Sequence, residues 1–274
     1  MEGYFSFEKV TDHVKRIMVP GDVYVYLVEG ERAAALIDTG CGVGDLRTYV
    51  EGMTDKPVTV LLTHGHLDHA PGAAAFDRVY MSKDDLDIYK AHNDLKKRIG
   101  YLDGTSAKGH YLAEDLIPVS GADNFMPLYD GFEMDLGAYH IAGYSCAGHT
   151  PGSFVFLLKE ERMLLLGDAC NTFTFLFDKS SLGLSSYEKN LMSLKQKVKG
   201  SYDNVLLSHG EGVPSRNMID EVIRVCEEIK AGITDDVPFV FGDRSESKAY
   251  ADERKNEYGE IMGNIVYDRD RISE

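Results

Sequence analysis

The segment "LLTHGHLDHAPG", Leu61–Gly72, constrains the fold more than any other part of this sequence. It overlaps the apolar run "VTVLLT" at 58–63, which is typical of a strand buried on both faces. Three histidines and one aspartate then occupy the six positions from His64 to His69. The chain must therefore form a sheet that buries this strand and presents a cluster of polar side chains in the loop at its end.

The spacing within this cluster indicates metal binding. His64 and His66 stand two positions apart, so in an extended segment they project to the same side and could bind one ion. Asp68 and His69 are adjacent and cannot easily turn toward that same point, which makes two metal positions plausible. Neutral imidazoles and carboxylates are ligands of zinc and other divalent first-row metals.

Three more donors stand at the ends of other apolar runs. His149 lies in the glycine-rich turn "AGHTPGS", Asp168 ends "LLLGDA", and His209 lies in "LLSHGEG". Sheets with helical connections expose such residues at one rim. Together with the cluster they supply seven nitrogen or carboxylate donors, a number that favours a metal centre over scattered surface residues.

The pattern of apolar and polar residues predicts the same order of elements twice along the chain. Each time, several strands are followed by a helix, a strand and a second helix. Strands are predicted at 13–19, 23–28, 33–38, 58–63, 78–81, 139–144, 153–158, 163–168, 204–208 and 264–268. Helices are predicted at about 43–53, 82–102, 186–199 and 215–231, with an irregular segment at 103–124 and a polar helix or loop at 243–260. This order favours two packed β-layers covered by helices, an α/β protein.

Composition excludes several classes of function. The 274 residues carry a formal net charge of −16, which opposes contact with a phosphate backbone, so we expect no nucleic-acid partner. No apolar run is long enough for a membrane helix, and the N-terminal sequence has no secretory pattern, so we expect a cytoplasmic protein without a membrane partner. The four cysteines are widely spaced and predict reduced, buried thiols.

In their order, these motifs resemble the metallo-β-lactamase-like hydrolase superfamily. The resemblance rests on HxHxDH at 64–69, then His149, Asp168 and His209, preceded by Asp38 in "LIDTG", and it spans about two thirds of the chain. It implies a four-layer αββα sandwich, two packed mixed sheets flanked by helices. We expect a single domain over 1–274, with 82–135 as a substrate-pocket insertion; core packing is the expectation for its aromatic residues, and lining the pocket is the alternative.

The resemblance also assigns roles to the donors. One divalent ion would be held by His64, His66 and His149, the second by Asp68, His69 and His209, with Asp168 bridging them and Asp38 orienting a ligand from behind. Zinc is the first expectation, with iron or manganese as alternatives. Two divalent ions held in this way would share a water molecule and lower the pKa of that water toward about 7. The resulting bridging hydroxide would attack the substrate. Asp68 would accept the proton of the water and deliver it to the leaving group.

Departures from the family pattern narrow the substrate. True β-lactamases commonly carry cysteine where this chain has Asp168, and flavodiiron proteins usually carry glutamate in place of His66. Ser153 replaces the second histidine of the third motif of many thioesterase-like and lactonase members. A small ester, lactone or thioester remains the leading substrate. The alternatives are an iron-dependent oxidoreductase of the sulfur dioxygenase type, a phosphodiesterase, and a metal-binding protein without catalysis; oligomeric state is left open.

One further feature allows two interpretations. Phe173, Phe175 and Phe177 alternate in "NTFTFLF" after Asp168, so they share one face if the segment is extended. Core packing is the expectation for them, and an apolar substrate wall is the alternative. Tyr144, Cys146 and Cys170 lie beside the third and fourth motifs, and the sequence assigns them no role.

Overall fold

A computed structural model of the chain describes residues 3–119, 122–241 and 244–274. Residues 120 and 121 of the predicted insertion, and residue 243 of the predicted polar segment, lie outside the described residues. The chain divides into two compact units, Met1–Gly143 and Tyr144–Glu274. Each unit carries its own part of the predicted donor set.

The first unit is built on a seven-stranded sheet whose strands follow one another in chain order. The strands are β1 (Ser6–Lys9), β2 (Val14–Val19), β3 (Val23–Glu29), β4 (Ala34–Ile37), β5 (Val58–Leu61), β6 (Val79–Ser82) and β7 (Met126–Leu128). Strands β1 to β4 pair antiparallel, and β4 to β7 pair parallel. The strands predicted at 13–19, 23–28 and 33–38, and the strand before the histidine cluster, are confirmed. Strand β1 was not predicted, because all four of its residues are exposed and it has no apolar face.

The parallel part of this sheet positions the histidine cluster. Helix α1 (Leu46–Glu51) connects β4 to β5, and both strands are buried among aliphatic side chains such as Leu36 and Val60. Since parallel strands end at the same edge of a sheet, the residues that follow β4 and β5 emerge side by side. Asp38 follows the first of these strands and the cluster follows the second.

The insertion is helical in pieces. A 3₁₀ turn at Lys83–Asp85 leads into α2 (Leu86–His92), and α3 (Leu95–Leu102) follows after a break. The prediction of one continuous helix at 82–102 is wrong at this break. The carboxylate of Asp94 accepts a hydrogen bond from Lys97 N at 3.1 Å and so caps a new helix. The described residues of the segment predicted to be irregular, 103–119 and 122–124, contain no helix or strand apart from a 3₁₀ turn at Ala113–Asp115. The hairpin of β8 (Phe132–Asp135) and β9 (His140–Ser145) follows β7.

A buried arginine fastens the insertion to the loop after β4. Arg98 on α3 is 1% exposed, and its guanidinium donates to the carbonyl oxygens of Cys41 at 2.9 Å, Ile117 at 2.9 Å and Gly42 at 3.1 Å. A charge that far from water is tolerated only when its donors are satisfied. These three hydrogen bonds therefore fix α3 beside the edge of the sheet that carries Asp38.

The second unit contains two groups of strands and two long helices. Strands β10 (Phe154–Leu158) and β11 (Met163–Leu165) pair antiparallel, and β11 pairs parallel with β13 (Asn204–Leu206). A four-stranded sheet has the order β12 (Thr174–Leu176), β16 (Ile265–Tyr267), β15 (Arg244–Lys248) and β14 (Val237–Phe241). Helices α4 (Leu184–Lys197) and α5 (Met218–Ala231) confirm the two predicted helices to within three residues. The helix or loop predicted at 243–260 is wrong over β15.

The strand directions again place the donors at one edge. β11 and β13 run parallel and end just before Asp168 and His209, whereas β10 runs the opposite way and begins just after His149. All three residues therefore emerge at the same edge of these strands. Among the described residues, no helix has the length and apolar character needed to cross a membrane.

Candidate metal centre

A chain of hydrogen bonds behind the cluster fixes the tautomer of His64. The carboxylate of Asp38 accepts from Thr63 N at 2.8 Å and from Thr63 Oγ1 at 2.7 Å, and Thr63 Oγ1 lies 3.0 Å from His64 Nδ1. Since the threonine hydroxyl gives its one proton to the carboxylate, it must accept the proton of His64 Nδ1. The lone pair of His64 is then on Nε2, the nitrogen available to a metal ion.

Asp38 orients His69 in the same way. Its Oδ2 accepts a hydrogen bond from His69 Nδ1 at 2.9 Å, and both side chains are nearly inaccessible to solvent. Asp38 also has a φ of 61°, in the left-handed region that few residues other than glycine adopt. A strained backbone held by three hydrogen bonds is typical of a functional site. Asp38 therefore contacts both Thr63 and His69 from behind the cluster.

His64 and His66 present two nitrogens to one point. His64 Nε2 lies 3.1 Å from His66 Nδ1, and the rings stand at 80° to each other. Two nitrogens bound tetrahedrally to zinc at about 2.0 Å would lie about 3.3 Å apart. The pair therefore fits a shared cation with little movement. The ring of His92, at the end of α2, stacks on His66 with centroids 4.9 Å apart and limits its rotation.

The loop between these histidines is held by the insertion. Gly65 N donates to the buried carboxylate of Asp85 at 2.8 Å. A Cβ at position 65 would lie 2.8 Å from the backbone oxygen of Asp85, so only glycine allows this close approach. Asp85 therefore holds the backbone that separates His64 from His66.

Asp68 faces the insertion as well. Tyr101 Oη, on α3, lies 3.0 Å from Asp68 Oδ2 and 3.0 Å from the carbonyl oxygen of Gly21, and a second neighbour of Asp68 is His69 Nε2 at 3.5 Å. The tyrosine hydroxyl donates to one of these acceptors at a time. Tyr101 therefore positions the carboxylate to which the sequence assigns proton transfer.

In the second unit, the turn that carries His149 is closely packed. His149 Nδ1 donates to the carbonyl oxygen of Phe175 at 2.8 Å, which again leaves Nε2 unprotonated. Ser153, the departure from the family pattern, is buried, and its Oγ accepts from Thr150 N at 3.0 Å. Tyr187 covers Gly148 so closely that a Cβ there would lie 2.1 Å from its ring. Ser153 thus stabilises the turn.

Asp168 lies between the two histidines of this unit. Its Oδ2 is 3.4 Å from His209 Nε2 and 3.8 Å from His149 Nε2. Its Oδ1 accepts from Asn171 Nδ2 at 3.4 Å. One carboxylate oxygen that faces two imidazole nitrogens has the geometry of a bridging ligand.

The cysteines take no part in this chemistry. All four are free and buried. Burial raises the pKa of the Cys146 thiol to about 12 and raises that of Cys170 as well, so neither is a thiolate near neutral pH. The prediction of reduced, buried thiols agrees with this.

Each unit therefore brings its own predicted donors together. The first unit gathers His64, His66, Asp68 and His69 in front of Asp38, and the second gathers His149, Asp168 and His209. Sequence reasoning missed the supporting residues Thr63, Asp85, His92, Tyr101 and Asn171. For Thr63 the sequence held a signal, since a polar residue ends the apolar run at 58–63. Asp85, His92 and Tyr101 lie at least 16 residues beyond the cluster, where no local spacing connects them to it.

Replacing Asp38 by alanine is expected to lower the free energy of unfolding by about 2 to 4 kcal/mol, because buried donors on Thr63 and His69 lose their acceptor. Zinc affinity should fall by about 10- to 100-fold, since the ligand tautomers are no longer fixed. Urea denaturation and zinc titration measure the two effects. The control Asp77→Ala removes an aspartate that is 80% exposed and should change stability by less than about 1 kcal/mol. Equal effects of the two substitutions would contradict the role of Asp38.

Two proteins with sequences similar to this chain are named as hydrolases. The hydroxyacylglutathione hydrolase GloC of Haemophilus influenzae is 26% identical over 195 residues, which are 67% of this chain and 82% of GloC. The human acyl-coenzyme A thioesterase MBLAC2 is 26% identical over 161 residues, 53% of this chain and 57% of that protein. These relatives are hydrolases by name and are not β-lactamases.

The fold is similar to that of a solved structure. The crystal structure of the metallo-β-lactamase FIM-1 from Pseudomonas aeruginosa, in its mono-zinc form, superimposes with a TM-score of 0.59 at 16% identity, covering 83% of this chain and 96% of FIM-1. This likeness confirms the predicted α/β class of the αββα sandwich. The sequence profile of the metallo-β-lactamase superfamily matches residues 18–209, which include all seven donors. The chain therefore belongs to the metallo-β-lactamase superfamily.

Proposed function

We propose that the chain is a dinuclear metal hydrolase that cleaves an ester, lactone or thioester of a small molecule. One divalent ion would be held by His64, His66 and His149, and the other by Asp68, His69, Asp168 and His209, with Asp168 shared. The observation that carries the proposal is the fixed tautomer of three histidines. In each of His64, His69 and His149, Nδ1 donates a hydrogen bond to an oxygen acceptor, and the lone pair of Nε2 is available to a cation. Zinc suits this donor set, and iron or manganese would also be accepted.

The protein's own residues carry distinct parts of the reaction. When bound, two divalent cations supply a hydroxide at neutral pH and polarise the carbonyl oxygen of the substrate. Asp68 takes up a proton and delivers it to the departing alkoxide or thiolate, while Tyr101 holds its carboxylate in place. Asp38 keeps His64 and His69 in the ligand tautomer. In balance, the acyl–oxygen or acyl–sulfur bond breaks, and water supplies the new hydroxyl group and the leaving group's proton.

Within this substrate class we favour a thioester. The relatives GloC and MBLAC2 are named for the hydrolysis of hydroxyacylglutathione and for acyl-coenzyme A thioesterase activity. The net charge of −16 disfavours nucleic acid as a partner, which agrees with a small-molecule substrate. We further infer that the whole chain, 1–274, acts as one domain and that 82–135 contributes to the substrate pocket, because Tyr101 reaches Asp68 from within it.

Metal analysis followed by a substrate panel tests this proposal. Protein purified without chelator is expected to contain about two metal ions per chain and to hydrolyse at least one thioester, lactone or carboxylic ester. Dialysis against a chelator should abolish the activity, and zinc should restore it. Metal content near zero would overturn the proposal. Iron as the only metal, with oxygen consumption on a persulfide and no hydrolysis, would instead support a sulfur dioxygenase. Turnover of phosphodiesters alone would support a phosphodiesterase.

A further inference from the structure

Five phenylalanines of the second unit form one aromatic cluster, which we call the phenylalanine wall. Phe173, Phe175 and Phe177 lie on or beside β12, and Phe239 and Phe241 lie on β14. Ring centroids are 5.3 Å apart for Phe173 and Phe175, 4.9 Å for Phe175 and Phe177, 5.3 Å for Phe173 and Phe239, and 5.6 Å for Phe175 and Phe241. The strand β12 and the hairpin of β14 and β15 therefore share one continuous aromatic surface.

Part of this surface is open to solvent. Phe177 is buried, Phe173, Phe175 and Phe239 are half-buried, and Phe241 is 50% exposed. Contiguous exposed aromatic rings are costly in water and commonly mark a place where an apolar ligand binds. Core packing was the expectation for Phe173, Phe175 and Phe177, and of these three only Phe177 is buried.

The wall is connected directly to the metal ligands of its unit. The carbonyl oxygen of Phe175 accepts the hydrogen bond from His149 Nδ1 at 2.8 Å. Asn171 Nδ2 donates to Asp168 Oδ1 at 3.4 Å, and Asn171 Oδ1 accepts from Phe173 N at 2.7 Å. The backbone that carries two of the rings is thus one or two hydrogen bonds from His149 and Asp168.

Cations flank the wall. The guanidinium of Arg244 lies 5.3 Å from the ring centroid of Phe177, and the ammonium of Lys248 lies 5.1 Å from that of Phe173. Both are within the range of a cation–π contact, which stabilises the positions of these two rings.

We propose that the phenylalanine wall binds the apolar acyl part of the substrate. This inference rests on the proposed function, since the acyl carbon is attacked beside His149 and Asp168. A chain attached to that carbon runs along backbone close to these residues, and the Phe173–Phe177 segment is hydrogen-bonded to His149 directly and to Asp168 through Asn171. The substrate class is therefore a thioester or ester of a medium-length or long acyl group.

A series of acyl thioesters with chains of two to ten carbons tests the wall on the metal-loaded protein. We expect kcat/KM to rise with chain length by about two- to fourfold per methylene until the wall is filled, the value for partial to full burial of a CH₂ group. Isothermal titration with decanoate, a product, should give measurable binding where acetate gives none, and this readout is independent of turnover.

Substitution of the exposed ring gives the decisive comparison. Phe241→Ala is expected to lower kcat/KM for the decanoyl thioester, and to weaken decanoate binding, by about tenfold, with less than a twofold change for the acetyl thioester. Phe7 on β1 is 53% exposed, close to the 50% of Phe241, and lies in the first unit, so Phe7→Ala is a matched control that should change neither.

The outcomes separate this inference from the proposed function. Two results would overturn the inference that the wall binds the acyl group while leaving the proposed hydrolase function unaffected. They are hydrolysis of the acetyl thioester without any dependence on chain length, and an equal effect of Phe241→Ala on both substrates. Metal content near zero without turnover of any member would instead remove the hydrolase proposal. A change of Phe241→Ala in sedimentation velocity from dimer to monomer, with chain selectivity unchanged, would show that a second copy covers the wall and would also overturn the inference.

Discussion

Replacing Asp168 by asparagine is expected to lower kcat/KM by about a thousandfold or more and to reduce the metal content from about two ions per chain to about one. Oδ2 of Asp168 lies 3.8 Å from His149 Nε2 and 3.4 Å from His209 Nε2, so it faces a ligand of each proposed ion. Charge stabilisation by a metal is worth several kcal/mol, and each loss of about 1.4 kcal/mol costs a factor of ten in rate. Inductively coupled plasma mass spectrometry and steady-state kinetics measure the two losses.

The asparagine keeps the size of the side chain and its hydrogen bond to Asn171 but removes the charge that two cations share. Asp203 is the matched control, because it lies in the same unit with a 62% exposed side chain paired to Arg162. Asp203→Asn should leave metal content and kcat/KM within about twofold, as surface ion pairs contribute little. Full metal content and activity in Asp168→Asn would contradict the bridging role and with it the dinuclear proposal.

The ligands could be predicted from the sequence because strand ends are visible in it. An apolar run followed by a polar residue marks the end of a buried strand, and this pattern recurs before Asp38, His64, Asp168 and His209. Strands β4 and β5 confirm the reason: neighbouring parallel strands end at one edge, so residues 25 or more positions apart in the chain become neighbours. Strand ends therefore carry long-range information that local periodicity alone does not.

The supporting residues could not be predicted, because their contacts depend on how the insertion folds back. Asp85 and Tyr101 reach Gly65 and Asp68 only after α2 and α3 have separated, and the break between these helices depends on a single cap at Asp94. The C-terminal hairpin was missed for a related reason. Strand β15 is polar, with the sequence "RSESK", and nothing in such a segment favours a strand until β14 and β16 pair with it.

Replacing Asp68 by asparagine is expected to lower kcat by about 100- to 10,000-fold while most of the metal is retained. The amide oxygen of asparagine can still act as a metal ligand, but the side chain cannot accept a proton. Tyr101→Phe removes the hydrogen bond to Asp68 Oδ2 without removing the carboxylate, so its effect should stay below about tenfold. The surface variant Asp77→Asn serves as the control and should behave as the wild type. Loss of one metal ion in Asp68→Asn in step with activity would reduce Asp68 to a ligand.

The leaving group distinguishes proton delivery from metal binding at Asp68. An aryl thiolate with a low pKa departs without a proton, whereas an alkyl thiolate or alkoxide is expelled far faster when an acid protonates it. If Asp68 delivers the proton, Asp68→Asn should lose at least tenfold less activity on an aryl thioester than on an alkyl thioester of the same acyl group. If Asp68 serves only to hold a cation, both substrates should suffer alike, because the cation acts on the carbonyl that they share. The ratio of the two losses thus assigns the role of Asp68.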